Sequence, residues 1–236
     1  MNPLQMGDLP ALDADYAEPL APPAPRPVAP LGTVLAPMRV EAAALRRGLA
    51  GDERLRVWCA GAGLRRARRT AMEPDVLDSP ALAVAGLGRA LSPSLRPGDV
   101  VVASVVRADA LTEGVVPPAR WLPTASLLAA ALRSRGLTVH TGVAISTDRL
   151  SGPAERARLA MTGALVADLE SAWLLARCGN RPAACVRVVA RDARRHPAGL
   201  GGLRRALLNL SVVAAGLQEW AAAAPGALRE GRGKVA

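Results

Sequence analysis

Phenylalanine is absent from this chain, and aromatic residues make up only 2% of it, four tryptophans and one tyrosine. A core without Phe must be filled by alanine, valine and leucine, which brings the packed elements close together. The shortage also argues against nucleic acid as a partner, because single-stranded bases are held on aromatic platforms. Lysine is nearly missing too: Lys234 stands alone, and arginine supplies the remaining positive charge. Three cysteines (Cys59, Cys178, Cys185) form no C-x-x-C, and two histidines (His140, His196) complete no metal-ligand set, so no metal is expected. An odd number of cysteines fits a reducing compartment. No basic segment leads into an apolar run at the start, and no uncharged apolar run reaches the ~18–20 residues that span a bilayer. A cytoplasmic protein is expected, touching a membrane peripherally if at all.

What is present is 236 residues, half of them hydrophobic, with a net charge of +10 and a pI of about 11.2. That length suits one domain with one core. A basic chain points to phosphate, nucleic acid or anionic lipid. An Ala- and Arg-rich composition of the kind a GC-rich genome produces accounts for the same charge with no partner.

Residues 1–30 read as a disordered, proline-rich tail, ending in AEPLAPPAPRPVAP. From Leu31 short apolar runs alternate with helical ones. Strands are predicted at 31–37, 54–61, 81–88, 99–106, 137–146, 164–168 and 181–190. Helices are predicted at 41–49, 64–72, 123–136, 153–163 and from 168 through Arg177. A last helix carries one apolar stripe: Leu203, Leu207, Leu210, Ala214, Leu217 and Ala221. This alternation predicts a single α/β domain over 31–225, its central twisted sheet mostly parallel or mixed and flanked by helices, with a flexible tail at 226–236. Such sheets bind ligands at the carboxyl ends of their strands.

Four strand ends hold unusual chemistry. Glu41 follows the first strand at a helix start, where an acid complements the helix dipole whether or not it has another use. Gly61 and Gly63 follow the second strand, and Gly86 and Gly88 the third; tight turns explain them as well as an approaching anion or sugar oxygen does. The fourth is ADLESAW. Asp168 and Glu170 interrupt an apolar run, although ionised carboxylates are seldom buried without partners. A carboxylate at that edge can accept both hydroxyls of a ribose diol, or simply pair with an arginine.

The segments APMRVEAAALR (36–46), AGAGLRRA (60–67), AGLGRALSPSLRPGDVVVAS (85–104), STD (146–148), VADLESAW (166–173) and VRVVARDA (186–193) occur in an order that resembles the nucleoside phosphorylase/nucleosidase superfamily. The likeness is nearest to its methylthioadenosine/S-adenosylhomocysteine nucleosidases and hopanoid-associated phosphorylases. The resemblance implies cleavage of the N-glycosidic bond of an adenosine-type nucleoside, adenosylhopane for the hopanoid type, with water or phosphate as nucleophile and no other cofactor. It implies a homo-oligomer and a small-molecule nucleoside as ligand, lipid-linked for the hopanoid type.

Residue by residue, it assigns Glu170 to the ribose hydroxyls, with Leu169 against the sugar where methionine is usual. Glu41 matches the acid that activates water. Gly61, Gly63, Gly86 and Gly88 would line the sugar and nucleophile loops, and Asp148, Leu150 and Ser151 the base. Asp168 receives no role. The family's general acid is an Asp in V-R-x-x-x-D; here Arg191 occupies that position and Asp192 follows it. A one-residue shift along a strand turns a side chain to the opposite face, so Asp192 is the candidate acid only if the strand end bulges. The alternative is a catalytically impaired relative that binds a nucleoside or a partner enzyme.

Overall fold

Runs of small and β-branched residues become strands here, and amphipathic runs between them become helices. The computed structural model describes residues 29–112, 114–149, 152–191 and 200–233. In chain order the first half comprises β1 (Gly32–Ala36), α1 (Arg39–Leu49), β2 (Leu55–Cys59), α2 (Leu64–Thr70), α3 (Pro74–Leu77), β3 (Leu82–Ala90) and β4 (Val100–Ala108). The second half comprises β5 (Arg120–Trp121), α4 (Ala125–Arg133), β6 (Val139–Ser146), α5 (Pro153–Ala160), β7 (Val166–Asp168), α6 (Ser171–Leu174), β8 (Ala183–Arg191) and α7 (Leu200–Gly233). Every predicted strand and helix is present. The one-turn α3 and the two-residue β5 are additional, too short to leave a periodic signal.

The eight strands form one mixed sheet. Pairs β1–β2, β1–β3, β3–β8, β4–β6 and β6–β7 are parallel; β3–β7, β4–β5 and β4–β8 are antiparallel. Following the pairings from β3 through β8, β4, β6 and β7 returns to β3, so five strands close into a ring. Closure leaves few free edges. It also makes β3 the central strand, bonded to β8 on one side and to β1 and then β7 on the other.

Among the described residues the core is built of Ala, Val and Leu, with Trp173 and Trp220 as its large members. Trp220 is satisfied by donating its indole N–H to Thr124 Oγ1 at 3.0 Å. The segment Gly201–Arg229 is long and apolar enough to cross a bilayer, with a mean hydropathy of 1.2. Its inward stripe of Leu210, Val213, Leu217, Trp220 and Ala224 is instead part of the core. The predicted stripe holds at Leu210, Ala214, Leu217 and Ala221. It fails at Leu203, which is 40% exposed at the helix start. The helix also runs through Pro225 to Gly233, so residues 226–233, expected as a tail, continue it. The proline-rich segment 1–28 lies outside the described residues.

Candidate active site

The carboxyl ends of β1, β2, β3, β7 and β8 meet around a cavity of about 330 Å³. Glu41, Asp168, Glu170, Leu169, Leu87, Gly88 and Arg89 line it, together with Met38, Ala62, Arg191 and Leu203, which are exposed. Two segments far apart in the chain, APMRVE (36–41) and ADLESA (167–172), thus contribute acids to one chamber.

Glu41 sits in the first turn of α1 and is 1% exposed. Its Oε2 accepts the N–H of Met38 at 2.7 Å, one half of a capping box. Its Oε1 accepts the N–H of Leu87, on β3, also at 2.7 Å. Both expectations for this residue therefore hold together: it closes the helix start, and it faces the cavity. The approach is so close that a Cβ at 86 would stand 2.8 Å from both Glu41 Oε1 and Arg187 Nη1, so that glycine alone fits without displacing one of them.

Asp168 ends β7 and Glu170 opens α6. Asp168 Oδ1 accepts the backbone N–H groups of Glu170 and Ser171, each at 2.9 Å, and the Ser146 hydroxyl at 2.6 Å. Asp168 thereby holds the strand-to-helix turn that aims Glu170. Its Oδ2 lies 2.9 Å from Arg187 Nε, with both side chains buried. Glu170 Oε1 accepts the Gly63 N–H at 2.8 Å. Gly63 has φ +92, a conformation glycine adopts without strain, and this is what turns its N–H toward the acid. Among the described residues Glu170 Oε2 meets only the Leu169 N–H at 3.3 Å and Arg187 Nη2 at 3.9 Å, which leaves it able to accept a bond from a ligand hydroxyl.

Arg187 is the cation that permits three buried carboxylates. It donates twice to Ser171 Oγ, at 2.7 and 3.1 Å, and once to the Leu87 carbonyl at 3.3 Å. Burial alone would favour its neutral form; Asp168 outweighs that, with Cys185, Glu170 and Glu41 adding to it, and holds Arg187 charged. Burial would likewise raise Asp168, but Arg187 and the hydroxyls of Ser146 and Ser171 keep it below its ordinary 3.8. Glu41 and Glu170 behave differently. Burial pushes both above the usual 4.5, and the pull of Arg187 does not cancel it. Arg187 thus acts on all three carboxylates, but it brings only Asp168 below its ordinary value.

The structure brings Glu41, Glu170, Leu169 and Gly88 to the cavity wall. Gly86 lies behind it, beneath the Glu41 carboxylate, and Gly63 supports Glu170. Gly86 and Gly88 sit within β3 and form no turn, contrary to expectation; what they provide is room. Gly61 lines a neighbouring pocket. Asp148 is exposed and accepts from Thr147 Oγ1 at 3.4 Å, outside the cavity lining. Leu150, Ser151 and Asp192 lie outside the described residues. Arg187, Ser171 and Ser146 were not singled out from the sequence, and Asp168 had no role. The available signal was charge balance: Arg187 is the one charge inside the apolar run AACVRVVA, as Asp168 and Glu170 are inside theirs.

β8 ends with a bulge. Val189 pairs with Gly88 and Arg191 with Arg89, so Ala190 is an extra residue. Arg191 is exposed at the cavity edge.

The site is thus an acid cluster at the strand ends of a ring-closed mixed α/β sheet. The chain belongs to the phosphorylase superfamily, whose family model matches residues 29–202. The 5′-methylthioadenosine/S-adenosylhomocysteine nucleosidase of Campylobacter jejuni superposes with a TM-score of 0.67 at 15% identity, covering 79% of this chain and 96% of that one. The Neisseria meningitidis nucleosidase of that name, in complex with methylthio-immucillin-A, gives 0.67 at 18%, covering 79% and 98%. Futalosine hydrolase of Helicobacter pylori gives 0.64 at 15%, covering 79% and 94%. No protein of curated function matches the chain in sequence.

Proposed function

We propose that this protein hydrolyses the N-glycosidic bond of a purine nucleoside. The observation that carries this reading is the pair of buried glutamates, Glu41 and Glu170, opening into one cavity with Arg187 held behind them by Asp168. Glycosidic cleavage builds positive charge on the sugar, and fixed carboxylates stabilise it better than water can. Glu170 Oε2 receives the ribose hydroxyls. Glu41, with its raised pKa, takes the proton of the attacking water. Glu41 at the cavity wall favours water as nucleophile; Arg89 and Arg191, which also line the cavity, are the groups a phosphate would use instead.

The leaving base needs a proton, and Asp192 is our candidate donor. The bulge at Ala190 supports it. Arg191 pairs with Arg89, whereas Arg187 and Val189 pair with Gly86 and Gly88, so the alternation has slipped by one.

The substrate we propose is adenosylhopane, as the resemblance implies; three of the exposed lining residues, Met38, Ala62 and Leu203, are apolar and suit a bulky apolar 5′ group, with Arg191 as the fourth. The second reading, a relative that binds without turnover, is favoured by one observation, that Arg191 lies at the cavity edge.

The test is adenine release by the purified protein from adenosylhopane and from methylthioadenosine, each with and without phosphate. Phosphate-independent release from adenosylhopane is expected. Release that requires phosphate would replace water as the nucleophile. Binding without release from either substrate would establish the second reading.

A further inference from the structure

α1 and α7 lie in backbone contact. A Cβ at Gly48 would stand 1.8 Å from the Ser211 carbonyl oxygen and 2.9 Å from the Ala214 Cβ. At the other end of the pair Met38 and Leu203 line the same cavity. The outward strips of the two helices are therefore neighbours along their length, and the cavity opens at one end of them.

The composition of these strips is unusual for a surface. On α7 the exposed side chains between 203 and 212 are Leu203, Arg204, Arg205, Leu208 and Val212. Leu208 is 51% exposed and Val40, on α1, 47%. The exposed residues of α1 are otherwise Arg39, Ala43, Arg46 and Arg47; its one acid, Glu41, is turned inward. No acid occurs between 200 and 217. Apolar side chains interleaved with arginines, and no carboxylate among them, are unfavourable against water and complementary to an anionic bilayer. A protein partner of ordinary composition would need acids placed opposite each arginine, whereas a lipid surface supplies negative charge continuously.

We propose that the joint outer face of α1 and the first half of α7 docks on an anionic membrane, with the mouth of the cavity at the lipid surface. The bilayer would then deliver a nucleoside whose 5′ substituent is itself buried in lipid; this last step rests on the substrate reading above, the docking does not.

The test is co-sedimentation of the full chain with phosphatidylglycerol-rich vesicles and with pure phosphatidylcholine vesicles, alongside L208E/V212E and R204Q/R205Q. None of these four residues lines the cavity. Preferential sedimentation with the anionic vesicles is expected. L208E/V212E should abolish it, and R204Q/R205Q should weaken it roughly 10- to 30-fold, at about fivefold per arginine. Both variants should keep wild-type circular dichroism and thermal midpoint.

Absence of vesicle binding by the wild-type chain, or binding that both variants retain, would overturn the proposal. So would a dimer that L208E/V212E dissociates without changing vesicle binding, because the face would then be a contact between copies. Vesicle binding is read without turnover. An inactive protein that binds vesicles sinks only the substrate reading, and an active one that ignores them sinks only the docking.

Discussion

Asp168 Oδ2 and Arg187 Nε stand 2.9 Å apart, and each side chain is 1% exposed. This pair is the electrostatic centre of the site. Asp168 neutralises Arg187, and Arg187 in turn makes burial of Glu41 and Glu170 tolerable. Removing one partner of a buried pair costs more than the pair contributes, because the other charge is left uncompensated. D168N should therefore lower the free energy of unfolding by about 3–5 kcal/mol, read from urea titration. A change below 1 kcal/mol, on the order of an exposed pair, would mean that the ion pair is not formed in solution.

Gly86, having no side chain, leaves the space into which Glu41 and Arg187 both reach. In G86A the new methyl would stand 2.8 Å from both, and one or both must move. Overpacking of this kind costs about 1–3 kcal/mol. Activity should fall far more than that stability loss explains, since the displaced group is the proposed base. Steady-state kinetics beside a melting curve separates the two effects. Activity at the wild-type level would remove Glu41 from the reaction.

The pH dependence follows from the two kinds of carboxylate. Glu41 and Glu170 hold their protons above 4.5 in the folded state. Their contribution to stability is present below 4.5 and is lost as pH rises through their folded values. Asp168 runs the other way, stabilising above 3.8 and ceasing to do so as pH falls through its lowered value. Hydrolysis requires ionised Glu41, so kcat/KM should fall on the acid side with a midpoint above 4.5. Urea stability should decline as pH rises from 4.5 through the folded values of the two glutamates and level off above them, and E41Q should flatten the decline. An acid limb at or below 4.5 contradicts the burial effect.

Glu170 should matter only when a ribose diol is present. E170Q is expected to lower kcat/KM for a ribonucleoside about 10- to 100-fold, the range for losing a hydrogen bond to a charged group. Its effect on the 2′,3′-dideoxy analogue should be slight. Equal losses on both substrates would show that Glu170 acts through the fold and not through the sugar.

Arg191 and Asp192 can be told apart directly. If the bulge turns position 192 inward, D192N should reduce kcat by about 10²- to 10⁴-fold, the usual size of a general-acid contribution. R191A should change it several-fold at most. The reverse ranking would move Arg191 into the reaction and Asp192 out of it.

Much of this was legible in the chain. Local periodicity marked every strand from β1 to β8 except the two-residue β5, because alternation and small-residue runs are properties of neighbours in sequence. Glu41, Leu169 and Glu170 were likewise visible as acids or apolar residues at strand ends. Gly86 and Gly88 were visible as residues but misread as a turn, since a glycine leaves the same trace whether the backbone bends or a distant side chain needs its space.

Tertiary structure alone decided the rest. That Arg187 answers Asp168 depends on β7 and β8 both flanking β3, a pairing between segments with no shared local pattern. The closing of the ring, the slip in register at Ala190 and the exposure of Leu203 on an otherwise core-facing stripe are of the same kind. The sequence determined which elements form and which charges must be buried with them. Only the fold decided which charge faces which, because strand pairing and register are set by the whole sheet's burial and hydrogen bonding rather than by any one strand.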